Sequence, residues 1–303
     1  MTKLDAADEY AAEGLSGRPT FTEYIHHRMN GREPHRPVLD KIDVAEFVQS
    51  IGVRVAQKYK IFDHAHEITD DLRPDRCVVK PTKMWNMKGV MLLQRKSVNQ
   101  WHEGKPLYRE MLSGREIELG TIVAEQVLCQ KECVERDAGS DPKIILEELI
   151  VDEAGPQLIP LDYKMYCFDG EVRFIHQVNR NVNPRQMAFY RDEFTPVKFD
   201  EFMEPELNWA QLGPHRVPRC WHEMLQVAKR VSRALDTPFI SVDLYASPSG
   251  PVVGELTPTP GGAYFGVWRF RPFFNQQLGD AWTRANVVLG QQGRYFSFPP
   301  KRV

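Results

Sequence analysis

The sequence predicts an α+β (mixed α/β) fold, with strands and helices interleaved along the chain rather than segregated. Apolar residues at helical spacing, Val44, Phe47, Val48 and Ile51, precede a short apolar strand at Arg76 to Lys80. Two hairpin signals follow, one around Asp169-Gly170 and one around Ser247 to Gly250. The 303 residues are 42% hydrophobic and 26% charged, the balance of a globular chain with room for a large core and two or three packed subdomains.

Taken in order, residues 1–38 form a polar N-terminal arm with one amphipathic piece, Phe21 to Met29. His26 and His27 are adjacent there, about 100° apart on a helix, which is poor geometry for a shared metal. Asp40 is placed to cap a helix that Gly52 ends. Arg76 to Lys80 reads as a buried strand stopped by Pro81, which leaves Lys80 at a strand end. A helix through Ile122 to Glu135 and a strand at Ile144 to Ile150 complete a first subdomain over residues 39–150. The hairpin Tyr163 to Phe168 and Glu171 to Val178, turned at Asp169-Gly170, opens a second over residues 151–303. Trp221 to Leu235 suits a helix, and Phe239 to Ala246 with Pro251 to Thr257 makes the second hairpin.

Thirty-nine basic residues against 41 acidic give a net charge of −2, so no overall field attracts nucleic acid or an anionic membrane. Apolar runs such as Lys143 to Ile150 are far shorter than the roughly 20 residues of a membrane helix. Met1 to Gly14 lacks the basic and apolar regions of a signal peptide. A cytoplasmic protein without membrane insertion is the expectation. The five cysteines contain no CxxC pair, and the odd count argues for isolated thiols over a disulfide framework.

The second hairpin carries the strongest chemical signal. Pairing of its arms about Ser249 makes Asp243 and Glu255 cross-strand neighbours, with Cβ atoms about 5 Å apart. Like charges at that distance need neutralisation: either a hard dication such as Mg²⁺ lies between them, or one carboxylate faces solvent or pairs with an arginine. In the first hairpin a two-residue turn sets Phe168 opposite Glu171. That register puts Asp162, Lys164 and Tyr166 on a face with Arg173, Ile175 and Gln177, and makes Lys164 and Arg173 diagonal neighbours. Such a pair either holds phosphate oxygens or is ordinary surface charge. Lys80 reaches into a cleft or snorkels to water. The run Ile145 to Ile150 could offer backbone groups and a carboxylate to a nucleoside.

In this order the pieces resemble the ATP-grasp superfamily, specifically its TupA-like branch, associated with teichuronic acid and other surface polysaccharide biosynthesis. The resemblance rests on Leu39-Asp40-Lys41, Val78-Val79-Lys80-Pro81, Leu146-Glu147-Glu148, Asp162 to Gly170, Val242 to Tyr245, and Gly254-Glu255-Leu256-Thr257. It implies an ATP-grasp fold whose two α+β subdomains sandwich ATP. Lys41, Lys80 and Gly89 would lie with the nucleotide, Glu147, Glu148, Leu149 and Ile150 would form the hinge against adenine, and Lys164 would lie over the ribose-phosphate side. Asp243 and Glu255 would bind Mg²⁺, with Thr257 where many relatives have a metal-binding asparagine. Family chemistry is attack of a carboxylate on the γ-phosphate, followed by capture of the acyl phosphate by an amine. Small-molecule carboxylate and amine substrates are thus implied, and a homodimer, as in many relatives.

Three departures bear on the chemistry. The loop Thr82 to Gly89 has one glycine where relatives are usually glycine-rich, and Ala45 replaces a basic residue common in the branch. Ser241 stands where many relatives have an arginine that helps hold the acyl phosphate. Lys164, Arg173 or Arg180 would then supply the catalytic cation, or the chain would phosphorylate a hydroxyl, or bind nucleotide without turnover. Trp268, Arg269 and Arg271 are candidates for the acceptor pocket, with plain aromatic packing as the alternative for the tryptophan.

Overall fold

A computed structural model describes residues 17–32, 40–69, 72, 74–84, 87–100, 103, 105–206 and 210–296. Most of the N-terminal arm, Leu39, and Trp85-Asn86 of the loop after Lys80 lie outside these. Helix α1 (Phe21–Met29) starts at a capping box: the Thr20 hydroxyl accepts from the Glu23 amide, and the Glu23 carboxylate accepts from the Thr20 amide at 2.6 Å. Helix α2 (Lys41–Ser50) is capped by Asp40, whose Oδ1 accepts from the Ile42 amide at 2.7 Å. It buries Val44, Phe47 and Val48, and Gly52 ends it with φ +71°.

The chain divides into two compact units. One consists of Asp40–Ile42 and Val55–Val151. It contains β1 (Lys58–Phe62), β2 (Arg76–Pro81), β3 (Met91–Arg95), β4 (Leu107–Glu110), β5 (Glu116–Glu118), helix α3 (Leu119–Arg136) and β6 (Ile144–Glu148). The strands form an antiparallel sheet in the order β1-β6-β2-β3-β4-β5. Alternation sorts its faces: Cys77, Val79, Leu93, Ile144 and Leu146 join Ile122 of α3 in one core. Val78, Lys80, Ile145 and Glu147 therefore project from the opposite face.

The other unit is built from the described residues of Met1–Leu39, Asp43–Arg54 and Asp152–Val303. It holds β7 (Asp162–Phe168), β8 (Glu171–Asn179), β9 (Gln186–Arg191), β10 (Thr195–Pro196), β11 (Met203–Pro205), β12 (Gln211–Leu212) and helix α4 (Trp221–Ala234). The hairpin β13 (Ile240–Ser247) and β14 (Gly250–Thr257), helix α5 (Gly261–Tyr264), β15 (Trp268–Phe270) and helix α6 (Pro272–Gln291) follow. The main sheet runs β10-β9-β8-β7-β13-β14, with β12 added parallel to β9, while β11 and β15 pair separately. Asp169 and Gly170 both have positive φ, 43° and 85°, as the tight β7–β8 turn requires.

Helix α4 covers one face of this sheet through buried Met224, Leu225, Ala228 and Val231. The other face is half aromatic. Phe21 of α1 packs within 6.1 Å of the rings of Tyr166, Phe168, Phe239, Phe270 and Trp282, so the amphipathic piece near the N-terminus is a packing helix. Trp268, expected to line a pocket or to pack, is 1% exposed in this cluster. It lies so close to Gly262 that a Cβ there would fall 1.8 Å from its ring. Arg271 bonds Glu204 at 2.6 Å. Among the described residues no helix is long and apolar enough to cross a membrane.

Candidate active site

The remaining half of that face carries a row of ionised groups, and two β-bulges determine which residues enter it. In the β13–β14 hairpin the turn pairs Ser247 with Gly250 and Leu244 with Val253; the register then shifts, so that Asp243 faces Glu255 and Ser241 faces Thr257. Gly254 is the extra residue, and without it in a bulge Glu255 would point to the α4 side. A glycine suits this position because a Cβ would come within 2.5 Å of the Tyr245 ring. Asp243 and Glu255 are thus cross-strand neighbours, as expected from the sequence.

Asp243 is 2% exposed. Its Oδ1 accepts from the Ser241 hydroxyl at 2.8 Å, and its Oδ2 is in direct contact with the Lys164 ammonium. Burial, and the like charges of Asp162 and Glu255, push the Asp243 carboxyl up to about 7 despite that ammonium. Lys164 also bonds Asp162 Oδ2 at 3.0 Å. Both carboxylates raise the Lys164 pKa against the opposing effect of burial, so the ammonium stays charged. Both Nη atoms of Arg180 meet the same Asp162 oxygen at 3.1 Å. Burial raises the proton affinity of Asp162, but Lys164 and Arg180 together outweigh it and hold the carboxyl below its ordinary value.

The second bulge overturns the expected pairing of the β7–β8 hairpin. Phe168 does face Glu171, but the register shifts between Tyr166 and Cys167, so that Tyr166 faces Phe174 and Lys164 faces His176. Arg173 is the residue left over. It bonds Glu171 at 2.6 Å at the exposed turn, and it is not a diagonal neighbour of Lys164. Gln177 moves to the α4 side, where its Oε1 accepts from the Tyr190 hydroxyl and the Arg216 amide.

His176, which the unbulged register hides, is 7% exposed, stacked on Phe189 and edge-on to Trp268. Neither ring nitrogen has a hydrogen-bond partner. Burial, with Lys164 nearby, lowers its pKa to about 3, so the ring is neutral. Asp162, Ser241 and His176 are the site residues that the sequence left without a role. The acidic residue two before Lys164 was the available signal for the first.

On the other unit's sheet face opposite α3 Lys80 forms an ion pair with Glu147 at 2.5 Å, with side chains 14% and 11% exposed. Val78 pairs with Glu147 and Lys80 with Ile145, which makes the charged pair diagonal neighbours across β2 and β6. The ladder ends at Glu148, whose carboxylate accepts from the Gln57 amide at 3.1 Å. Leu149 and Ile150 continue outside any strand. Lys41 donates to the carbonyls of Met84 at 2.7 Å and Thr82 at 3.4 Å, tethering the loop after Lys80. Gly89 lies against α3, where a Cβ would come within 2.6 Å of Cys129 Sγ and 3.0 Å of the Pro81 ring. That is the helix-covered side of the sheet, opposite Lys80.

Chemically, the row Glu255, Asp243, Lys164, Asp162, Arg180 alternates acid and base after its first pair, so its negative excess sits at Asp243 and Glu255. Among the described residues no group of three or more His, Cys, Asp or Glu is placed to hold a metal. Asp243, Glu255 and Thr257 nevertheless share one face of the β13–β14 hairpin, and each brings only oxygen donors. Such a set suits a Mg²⁺ ion that keeps further positions for phosphate and water. Each carboxylate oxygen of Asp243 has a second lone pair beyond its present bond, and a dication would offset both the burial and the like charges that raise its pKa. The residues fit the ion.

Residues 24–282 match the family model described as TupA-like ATPgrasp. No curated protein matches the chain. Among solved structures it is similar to D-alanine–D-alanine ligase from Bacillus anthracis complexed with ATP: 12% identity, 84% of this chain and 68% of that one, TM-score 0.46. It is similar also to the D-cycloserine synthetase DcsG, at 15% identity over 87% of this chain and 78% of that one, TM-score 0.43. The ATP-grasp ligase PsnB with its minimal precursor is a third, at 12% identity over 81% of this chain, TM-score 0.40; this chain spans 60% of PsnB.

Proposed function

The chain belongs to the TupA-like ATP-grasp family, and on that premise we propose that it is an ATP- and Mg²⁺-dependent ligase. It activates a substrate carboxylate as an acyl phosphate and passes the acyl group to an amine. The observation that carries this reading is the pairing of Asp243 with Glu255 beside Lys164 on one sheet face.

Asp243, Glu255 and Thr257 would hold the magnesium ion, which when bound neutralises phosphate oxygens. Lys80, kept in place by Glu147, binds phosphate. Glu147 to Ile150, the last two residues of β6 and the two that follow it, take the adenine edge. Lys164 and Arg180 stabilise the charge that develops as the carboxylate oxygen attacks the γ-phosphorus and ADP leaves. The amine then attacks the acyl carbon, phosphate leaves, and an amide forms. Their shared anchor Asp162 fixes both cations before reaction, so little reorganisation is needed. We assign the acid to the sugar or amino-acid derivatives of polysaccharide or natural-product biosynthesis, in line with the branch.

Incubation of the full chain with MgATP and paired acids and amines is expected to release ADP and phosphate only when both are present. One observation favours a second reading, transfer of the γ-phosphoryl group to a hydroxyl. Ser241 is fully buried on Asp243 and puts no cation where an acyl phosphate would be held. A ³²P label passing from γ-labelled ATP to a stable product, with free phosphate unchanged, selects it over the ligase.

A further inference from the structure

Two strands meet at one ammonium. Lys164 Nζ touches Asp243 Oδ2 on β13 and, at 3.0 Å, Asp162 Oδ2 on its own strand. Asp162 is also bonded by both Nη atoms of Arg180, while its Oδ1 is buried with no hydrogen-bond partner. The two carboxylates are not equivalent. Asp243 stands opposite Glu255 on β14, whereas Asp162 stands opposite Tyr245 and Val178, with no second acid across from it. A divalent ion is therefore drawn to Asp243, and a lysine ammonium on that carboxylate is drawn to the same negative charge. Two cations within one coordination distance repel. Asp162, a strand position away, offers the ammonium a second acceptor without requiring it to leave the sheet face.

We propose that Lys164 and the divalent cation compete for Asp243, and that Asp162 is a positioning residue that retains the Lys164 ammonium when the cation takes that carboxylate. This rests on the assignment of Asp243 and Glu255 as metal ligands. By linkage, whatever the lysine subtracts from metal affinity the metal subtracts from the lysine's hold on Asp243. Metal binding then turns Lys164 from an internal counter-ion into a donor available to phosphate oxygens, which ties the grip on phosphate to the arrival of the ion.

The test uses Mn²⁺ alone on the full chain, without nucleotide, with free Mn²⁺ read by electron paramagnetic resonance. Lys164→Met is expected to bind Mn²⁺ at least about tenfold more tightly than wild type. Asp162→Asn should weaken it about tenfold in the wild-type background, yet leave it within about twofold in the Lys164→Met background, because Asp162 acts through the ammonium. Unchanged affinity in Lys164→Met, or an equal effect of Asp162→Asn in both backgrounds, overturns the proposal. Wild-type crystals soaked in Mn²⁺ supply an independent readout that needs no variant to fold. Lys164 Nζ should be off Asp243 and on Asp162; an ion on Asp243 with the lysine contact intact refutes the competition. Asp243→Asn that still binds Mn²⁺ like wild type is a separate failure, since it removes the metal assignment itself.

Discussion

The Lys80–Glu147 pair gives the most quantitative prediction. At 2.5 Å, Coulomb's law with an effective dielectric of about 20 gives about 6–7 kcal/mol of attraction, and desolvation of the two ions cancels the larger part. Removing one partner of an exposed pair costs about 0–1 kcal/mol, and of a fully buried pair about 3–5. With side chains 14% and 11% exposed, this pair lies between, nearer the buried limit, so Glu147→Gln and Lys80→Met should each cost about 2–3 kcal/mol. The surrounding positions Val78 and Ile145 are apolar and buried. The double variant Lys80→Met/Glu147→Leu should therefore cost less than either single change, a coupling of at least about 2 kcal/mol. Urea unfolding followed by circular dichroism measures all three. Calorimetric titration with ATP separates stability from function: Lys80→Met and the double variant should lose at least about tenfold in affinity, because the phosphate-binding cation is gone. Additive single and double effects on unfolding would refute the reasoning, since they would mean the pair carries no interaction.

Two further predictions concern the other unit. The His176 pKa is lowered in the folded chain from 6.5 to about 3, so its contribution to stability is fully present above pH 6.5 and is lost as pH falls towards 3. The loss is up to about 4–5 kcal/mol; His176→Phe, which keeps the stack on Phe189, should flatten the urea midpoint across that window, and superimposable wild-type and variant curves would exclude the buried neutral ring. Gly254→Ala brings a Cβ to 2.5 Å from the Tyr245 ring and should cost about 1–3 kcal/mol while weakening Mn²⁺ binding; adding Tyr245→Ala should recover part of both, and a neutral Gly254→Ala would count against the bulge.

How much of this is readable in the sequence alone differs between the two hairpins. Both turns are legible from Asp169-Gly170 and Ser247 to Gly250, and the pairing of Asp243 with Glu255 follows from a centre at Ser249. That centre works because the bulge at Gly254 adds one residue to a two-residue turn, two deviations that cancel. In the first hairpin nothing cancels. Strand β8 is buried on both faces, with Val172, Phe174, Ile175 and Val178 all apolar, so alternation does not fix its register. The shift at Tyr166 brings Tyr166 and Phe174 together in the aromatic cluster, a demand of tertiary packing that local pattern does not encode. His176 enters the site and Arg173 leaves it for that reason. Short strands such as Met91–Arg95 and Leu107–Glu110 are similarly silent, since four or five residues carry too little periodicity. Helix ends are more legible because caps are local: Asp40 and Gly52 act where they stand.

The claim on which the rest depends is that Asp243 and Glu255 jointly hold a divalent ion that carries ATP. Calorimetric titration of ATP into wild type and Glu255→Gln, each with and without Mg²⁺ and with ADP formation followed in parallel, addresses it most directly. Wild type should bind more tightly with Mg²⁺, whereas Glu255→Gln should bind ATP alone normally, gain nothing from Mg²⁺ and lose turnover roughly 10²-fold or more. A Glu255→Gln protein that keeps the Mg²⁺ enhancement and forms ADP at the wild-type rate would contradict it.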